Sequence, residues 1–295
     1  MSIYNKSGTS INEAYSIDGD LLNTAYDMDG TVVWVRGEID YESYETSTLF
    51  RYPQSSMQGF AIYKSKIAQV KENSALHIID IETGTKTKDV SMDMGHGNSC
   101  QFSDEFYDES DEFPLFYIRN DGVWVYRIVG TSSTLIKKYS FSASIIGTYV
   151  AGFGIDSVNR RFYTASYTEG TYQSKTGLMR ICSWDMDDET DNGDGTYSFE
   201  LLDSNDFSWF DRFDAVQGCC FYNGYFFISC GLNGTQQYVV AVDPVTLTIA
   251  HLITYSGTQE TEGCAWLNYN TLVVGQKVST YTYRKITFDI VIDES

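Results

Sequence analysis

Five times along this chain a glycine is followed at once by a β-rich run, a short turn and a second apolar run, and no other feature limits the possible folds so sharply. The five are Gln58-Gly59-Phe60-Ala61-Ile62, His96-Gly97-Asn98-Ser99-Cys100, Ala151-Gly152-Phe153-Gly154-Ile155, Gln217-Gly218-Cys219-Cys220-Phe221 and Glu262-Gly263-Cys264-Ala265-Trp266. Their glycines lie 38, 55, 66 and 45 residues apart, which leaves room for three or four short strands per unit. Turn chemistry recurs inside the units. Asn223-Gly224 joins two aromatic-rich runs as a hairpin turn, and Asp80 and Asp243 each end an apolar strand before a turn containing Thr83 or Thr246. Repeated antiparallel units of this kind predict an all-β protein, and five of them a five-bladed β-propeller. The last unit has only 32 residues after Gly263, enough for about three strands. The run at residues 47–52, or the strand before it, is therefore expected to pair into that unit and close the ring, which removes exposed sheet edges.

Ahead of this lies a shorter period. Tyr4, Tyr15 and Tyr26 open three similar stretches, each with a Ser-Gly or Asp-Gly turn (Ser7-Gly8, Asp18-Gly19, Asp29-Gly30) between apolar-bearing pieces. That is hairpin chemistry, because glycine accepts the positive φ of tight turns. A unit of this size cannot bury its own apolar face, so it must stack on its copies or on another chain. The expected division is residues 1–44 as an attachment segment and 45–295 as the propeller.

Composition removes several functions. Forty Asp and Glu against 20 Lys and Arg give a formal charge of −20, so no basic surface exists to displace counterions from nucleic acid. No stretch is apolar enough for a signal peptide or a membrane span, and the chain is expected to be soluble and made in a cytoplasm. The six cysteines, Cys100, Cys182, Cys219, Cys220, Cys230 and Cys264, fit no metal-ligand spacing and are expected as buried thiols. Adjacent Cys219 and Cys220 cannot face the same side of a strand. The acidic stretch from Asp185 to Gly195 lacks the closing Glu of a calcium loop and is expected as a solvated hairpin tip.

In a propeller the inner strands surround an axis, and their entry residues point to one mouth. The residues before the aligned glycines are Gln58, His96, Ala151, Gln217 and Glu262, and Asn98 and Asp156 extend the set. Gln58, His96, Asn98, Asp156, Gln217 and Glu262 are thus the candidate ligand-binding residues, with amides, an imidazole and carboxylates suited to sugar hydroxyls. No catalytic residue and no metal ligand is assigned. A glycosidase needs two facing carboxylates, and the register offers only Glu262 with Asp156 or Asp214. No G-x-S-x-G elbow, zinc-ligand spacing or phosphate-binding glycine loop occurs, and His77 and His251 fall within alternating strand patterns. Trp184, Trp209-Phe210 and Tyr281-Tyr283 are candidate surfaces for stacking on sugar rings.

The N-terminal triplet built on AY-x-x-DG, led in by MSIYNKSGTS, resembles the short repeats that open tail-tip and minor structural proteins of phages and prophages of gut bacteria. The combination of MQGFAIY, GHGNSCQF with DEFPLFYI, and QGCCFYNGYFFIS is similar to propeller domains of phage receptor-binding proteins, in which a five-bladed platform faces the host wall. The resemblance spans essentially the whole chain. It implies a homotrimer that binds cell-surface polysaccharide, wall teichoic acid included, although the acidic balance favours a neutral or cationic glycan over a polyphosphate. The resulting expectation is a receptor-binding protein of a phage tail tip or baseplate, present in the virion and made in the host cytoplasm. Its propeller would bind host polysaccharide without cleaving it and without a cofactor, so it would not be an enzyme. Residues 1–44 would dock to sister chains or to other tail proteins. The alternatives are a propeller glycoside hydrolase and a ligand-free structural tail component.

Overall fold

The three N-terminal repeats each fold back on themselves. In the computed structural model, β1 (Ile3–Tyr4) pairs antiparallel with β2 (Ser10–Ile11), β3 (Ala14–Tyr15) with β4 (Leu21–Leu22), and β5 (Thr24–Tyr26) with β6 (Val32–Val35). Beyond this backbone pairing, the structure describes residues 38–73, 75–168, 179–207, 215–255, 257, 259–277 and 280–291. One strand, β7 (Glu38–Tyr52), runs through the boundary drawn at residue 44.

The remaining strands form consecutive antiparallel sets of four. The first holds β8 (Met57–Tyr63), β9 (Lys66–Lys71), β10 (Ala75–Asp80) and β11 (Lys86–Ser91). The second holds β12 (Cys100–Phe102), β13 (Phe116–Arg119), β14 (Val123–Val129) and β15 (Ser132–Tyr139). A single helical turn, α1 (Ala143–Ile146), leads to β16 (Tyr149–Asp156), β17 (Arg161–Tyr167), β18 (Met179–Asp191) and β19 (Tyr197–Phe207). Next come β20 (Val216–Tyr222), β21 (Tyr225–Cys230), β22 (Gln237–Val242) and β23 (Ile249–Tyr255). The last set has β24 (Thr261–Asn268), β25 (Thr271–Gln276) and β26 (Tyr281–Val291), with β7 as its fourth member, Tyr281 opposite Tyr52. Strand β7 thus completes the last sheet.

Local chemistry accounts for the turns. Asn223 and Gly224 both have positive φ, 46° and 80°, in the two-residue turn between Tyr222 and Tyr225. Asp80 Oδ1 accepts from the Thr83 amide and hydroxyl, and Asp243 Oδ1 from the Val245 and Thr246 amides, so each carboxylate substitutes for a missing strand partner. Lys66 and these turn donors hold the Asp80 carboxyl down at about 2. The acidic stretch is a hairpin tip, with Asp191 Oδ1 accepting from Gly193 N and Asp194 Oδ1 from Thr196 N.

The apolar core is divided into seams between successive sheets. Val70, Ile78 and Phe116 belong to the seam of the first two sets, Phe153, Phe162 and Val125 to the next, and Tyr163, Ile181 and Phe226 to the third. Phe227, Trp266 and Phe288 form the fourth, and Phe60, Val273 and Tyr283 join the last set back to the first. Alternation on β20 sends Cys219 into one seam and Cys220 into the next. All six cysteines are free and buried. His77 is buried between Tyr52, whose hydroxyl lies 2.8 Å from Nδ1, and Asp89, 3.3 Å from Nε2, while His251 stacks on Tyr41. Both histidines serve packing.

The inner strands β8, β12, β16, β20 and β24 touch in cyclic order, with β24 returning to β8. This is an all-β, propeller-like fold. Its axis is packed with backbone: a Cβ on Gly218 would sit 2.6 Å from the Gly263 Cα, and one on Gly59 2.2 Å from the Asn98 carbonyl oxygen. The inner strands pair within their own sheets, β12 with β13, and side chains on and just before β12 link it to the inner strands beside it. Ser99 Oγ, just before β12, accepts from the Phe153 and Cys219 amides at 3.2 and 3.3 Å. Gln101 Nε2 donates to Ile155 O at 3.1 Å, and its Oε1 accepts from Ile155 N at 3.1 Å and Phe221 N at 3.2 Å. Replacing Gln101 by Leu leaves these groups unpaired, and a loss of about 2 kcal/mol is expected in urea unfolding; an unchanged midpoint would show that the rung is dispensable.

Candidate functional site

Glycines at the axis bring the residues just before them together at one end of the wheel. There a cavity of about 720 Å³ is lined by His96, Asn98, Arg119, Ala151, Val216, Leu232, Asn233, Glu260, Glu262 and Lys277. Glu262, one residue inside β24, is 1% exposed. Its Oε1 lies 3.0 Å from Lys277 Nζ, and its Oε2 is buried without a hydrogen-bond partner. Lys277 follows β25 directly, and its amide donates to Glu260 O at 2.8 Å, which holds the two strand ends together. Burial pushes the Glu262 carboxyl up to about 8, against the opposing pull of the Lys277 ammonium, and the carboxylates of Glu260 and Glu72 add to the rise.

A chain of amide contacts forms the other wall. Asn98 Nδ2 donates to Gln217 Oε1 at 2.8 Å, and Gln217 Nε2 donates to Glu260 Oε1 at 2.8 Å. Glu260 Oε2 has a longer contact of 3.4 Å with Asn233 Nδ2, while its amide donates to Asn233 Oδ1 at 3.0 Å. Asn98 Oδ1 is buried and unpartnered. His96 is exposed at the rim, with Nδ1 2.8 Å from Glu72 Oε1. Arg119 Nε donates to Val150 O at 3.0 Å.

Of the six candidates from the sequence, His96, Asn98 and Glu262 line the cavity and Gln217 joins it through Asn98 and Glu260. Gln58 is fully buried and does not line the cavity, with both side-chain polar atoms unpartnered and its carbonyl accepting from Tyr281 and Gln69. Asp156 does not belong to the set. It ends β16, five residues beyond Ala151, and five strand residues carry the chain roughly 16 Å. Its carboxylate caps a turn instead, accepting from the Asn159 amide at 3.1 Å and side chain at 2.7 Å. Asp214 lies outside the described residues, as do Trp209 and Phe210.

The stacking surfaces also need correction. Trp184, Tyr281 and Tyr283 are 2%, 1% and 0% exposed, because the seams between sheets consume the large aromatic side chains. Trp184 Nε1 donates to Thr164 Oγ1, and the Tyr283 hydroxyl to Gln69 Oε1.

Sequence reasoning missed Glu260, Asn233, Arg119 and Lys277. Glu260 had a signal in plain view: it is an acid two residues before Glu262, just ahead of β24. Asn233 and Lys277 come from connections between strands, where spacing carries no such information.

No family model and no curated sequence matches the chain. Among solved structures it is similar to the PQQ-bound form of an aldose sugar dehydrogenase from Streptomyces coelicolor, at 9% identity and a TM-score of 0.52, covering 84% of this chain and 100% of that one. It is also similar to a glutaminyl cyclase from Myxococcus xanthus, at 10% identity and a TM-score of 0.52, covering 84% of this chain and 98% of that one. At such identities the likeness speaks for the fold. The expectation of a protein without catalysis is nevertheless withdrawn, because both of these structural neighbours are enzymes.

Proposed function

We propose that the sheets are the five blades of one propeller and that its mouth cavity takes a carbohydrate and cleaves a glycosidic bond. Glu262 is the proton donor. It gives its proton to the bridging oxygen as the C–O bond breaks, and water supplies the replacing hydroxyl and returns the proton. Glu260 is the second carboxylate, two residues before Glu262 and just ahead of β24, lining the same cavity. The carrying observation is the buried Glu262 carboxyl, with one unpartnered oxygen, beside a cavity of small-ligand size. The amide and carboxylate lining suits hydroxyl-rich ligands, and a sugar is also the substrate named for one structural neighbour. The test is release of nitrophenol from a panel of 4-nitrophenyl α- and β-glycosides, and a wild-type chain that turns over none of them would refute the hydrolytic role.

A second reading concerns context, and the paired N-terminal repeats favour it. We infer that the three hairpins before β7 dock the propeller to sister chains or to other proteins of a phage tail tip, leaving the mouth cavity to meet host-surface polysaccharide. Several linked copies would raise the effective concentration of each cavity at a surface. Light scattering of the full chain is expected to give a trimeric mass that falls to the monomer when residues 1–37 are removed; a monomeric full-length chain would count against docking between sisters.

A further inference from the structure

The amide chain at the cavity wall has a fixed direction, and a carboxylate fixes it. Glu260, when ionised, only accepts, so the Gln217 side chain must offer it Nε2. That leaves Gln217 Oε1 toward Asn98, which must answer with Nδ2. The Asn98 carbonyl oxygen is then the atom left over, and it is the one that is buried and unpartnered on a residue lining the cavity. An amide free to flip would present a donor and an acceptor equally. Here the choice is made two residues away.

We propose that Asn98 reads a hydrogen-bond donor on the ligand, a sugar ring hydroxyl, and that Glu260 acts through Gln217 as the positioning residue that keeps Asn98 in its accepting orientation. This rests on the carbohydrate reading of the cavity and names the group that the cavity selects. An analogue with no hydroxyl at that point leaves the Asn98 oxygen unsatisfied, the situation in which polar sites discriminate most strongly. Glu260→Gln removes the acceptor-only end, so both amides of the chain are free to reverse. Moving the carboxylate one step inward, with Gln217→Glu and Glu260→Gln together, restores the direction. Glu at 217 accepts from Asn98 Nδ2 on one oxygen and from the new amide on the other, and the Asn98 oxygen is again the leftover atom.

The experiment is calorimetric titration of the full chain with the methyl α- and β-D-glycosides of glucose, galactose and mannose, alongside thermal melts of each variant. Binding of at least one glycoside is expected, weakened about tenfold or more in Asn98→Leu and in Glu260→Gln, and recovered to within about twofold of wild type in the double variant. A purely structural role for Glu260 would not be rescued by relocating its charge. A wild type that binds none of the glycosides, a Glu260→Gln variant that binds as well as wild type, or a double variant as weak as Glu260→Gln would each overturn the proposal. Binding without any turnover removes the hydrolytic role and leaves the relay standing. Turnover with failed rescue removes only the relay.

Discussion

Glu262→Gln is expected to lower turnover of the best aryl glycoside by about a hundred- to ten-thousandfold, the usual contribution of a positioned proton donor, while glycoside binding stays near the wild-type level. The amide keeps the shape of the acid and cannot give a proton away. In the wild type the alkaline limb of the pH–rate profile is expected to fall as pH rises through about 8, where burial places the Glu262 carboxyl. Stability follows the same group with a definite sign. The ordinary value is 4.5 and the folded value about 8, so the folded state prefers the protonated form. The contribution is fully present below the ordinary value and is lost as pH climbs through the folded one, with a few kcal/mol at stake. Urea midpoints of the wild type should decline over that window, and those of Glu262→Gln should decline less. Parallel declines, with turnover retained, would remove Glu262 from the chemistry.

Gly59→Ala is expected to destabilise the protein by about 3 kcal/mol or more, roughly a 10 °C fall in melting temperature. The added methyl would sit 2.2 Å from the Asn98 carbonyl oxygen and 2.7 Å from that of Gly97. Both are backbone atoms, which cannot swing aside as a flexible side chain does. Gly234→Asn is the control, since nothing lies within 4 Å of that position and asparagine tolerates the positive φ of 84° found there. A melt unchanged in Gly59→Ala would mean that the inner strands are not held as closely as the axis geometry requires.

These expectations show which parts of the molecule can be read from its residues. The aligned glycines were legible because close approach at the axis admits no Cβ, and the Asn-Gly and Asp-led turns because their chemistry is local. The pairing of residues 47–52 with the last unit followed from counting strands. The site was legible only where the register ran through it. Gln217 and Glu262 precede axial glycines and meet at the mouth, whereas Asp156 was placed by its distance after a glycine, without regard to the direction in which β16 runs. Trp184, Tyr281 and Tyr283 looked like binding surfaces in isolation, but the demand of the inter-sheet seams for large side chains is a global property that no local window contains. Glu260 was there to be found two residues before Glu262, while Lys277 and Asn233 reach the cavity through connections whose course is set by tertiary structure.

The pairing of β7 with β26 sets the order in which the chain can assemble. Tyr52 meets Tyr281, so this ladder must wait until the chain has been synthesised past Tyr281, and its loop-closure entropy is the largest among the described sheets. Until then β7 has no partner and presents a bare edge to neighbouring nascent chains. Production of this protein should therefore be limited by the interval between synthesis and closure, and slower translation or chaperone capacity during that interval should matter more to yield than the stability of the finished wheel.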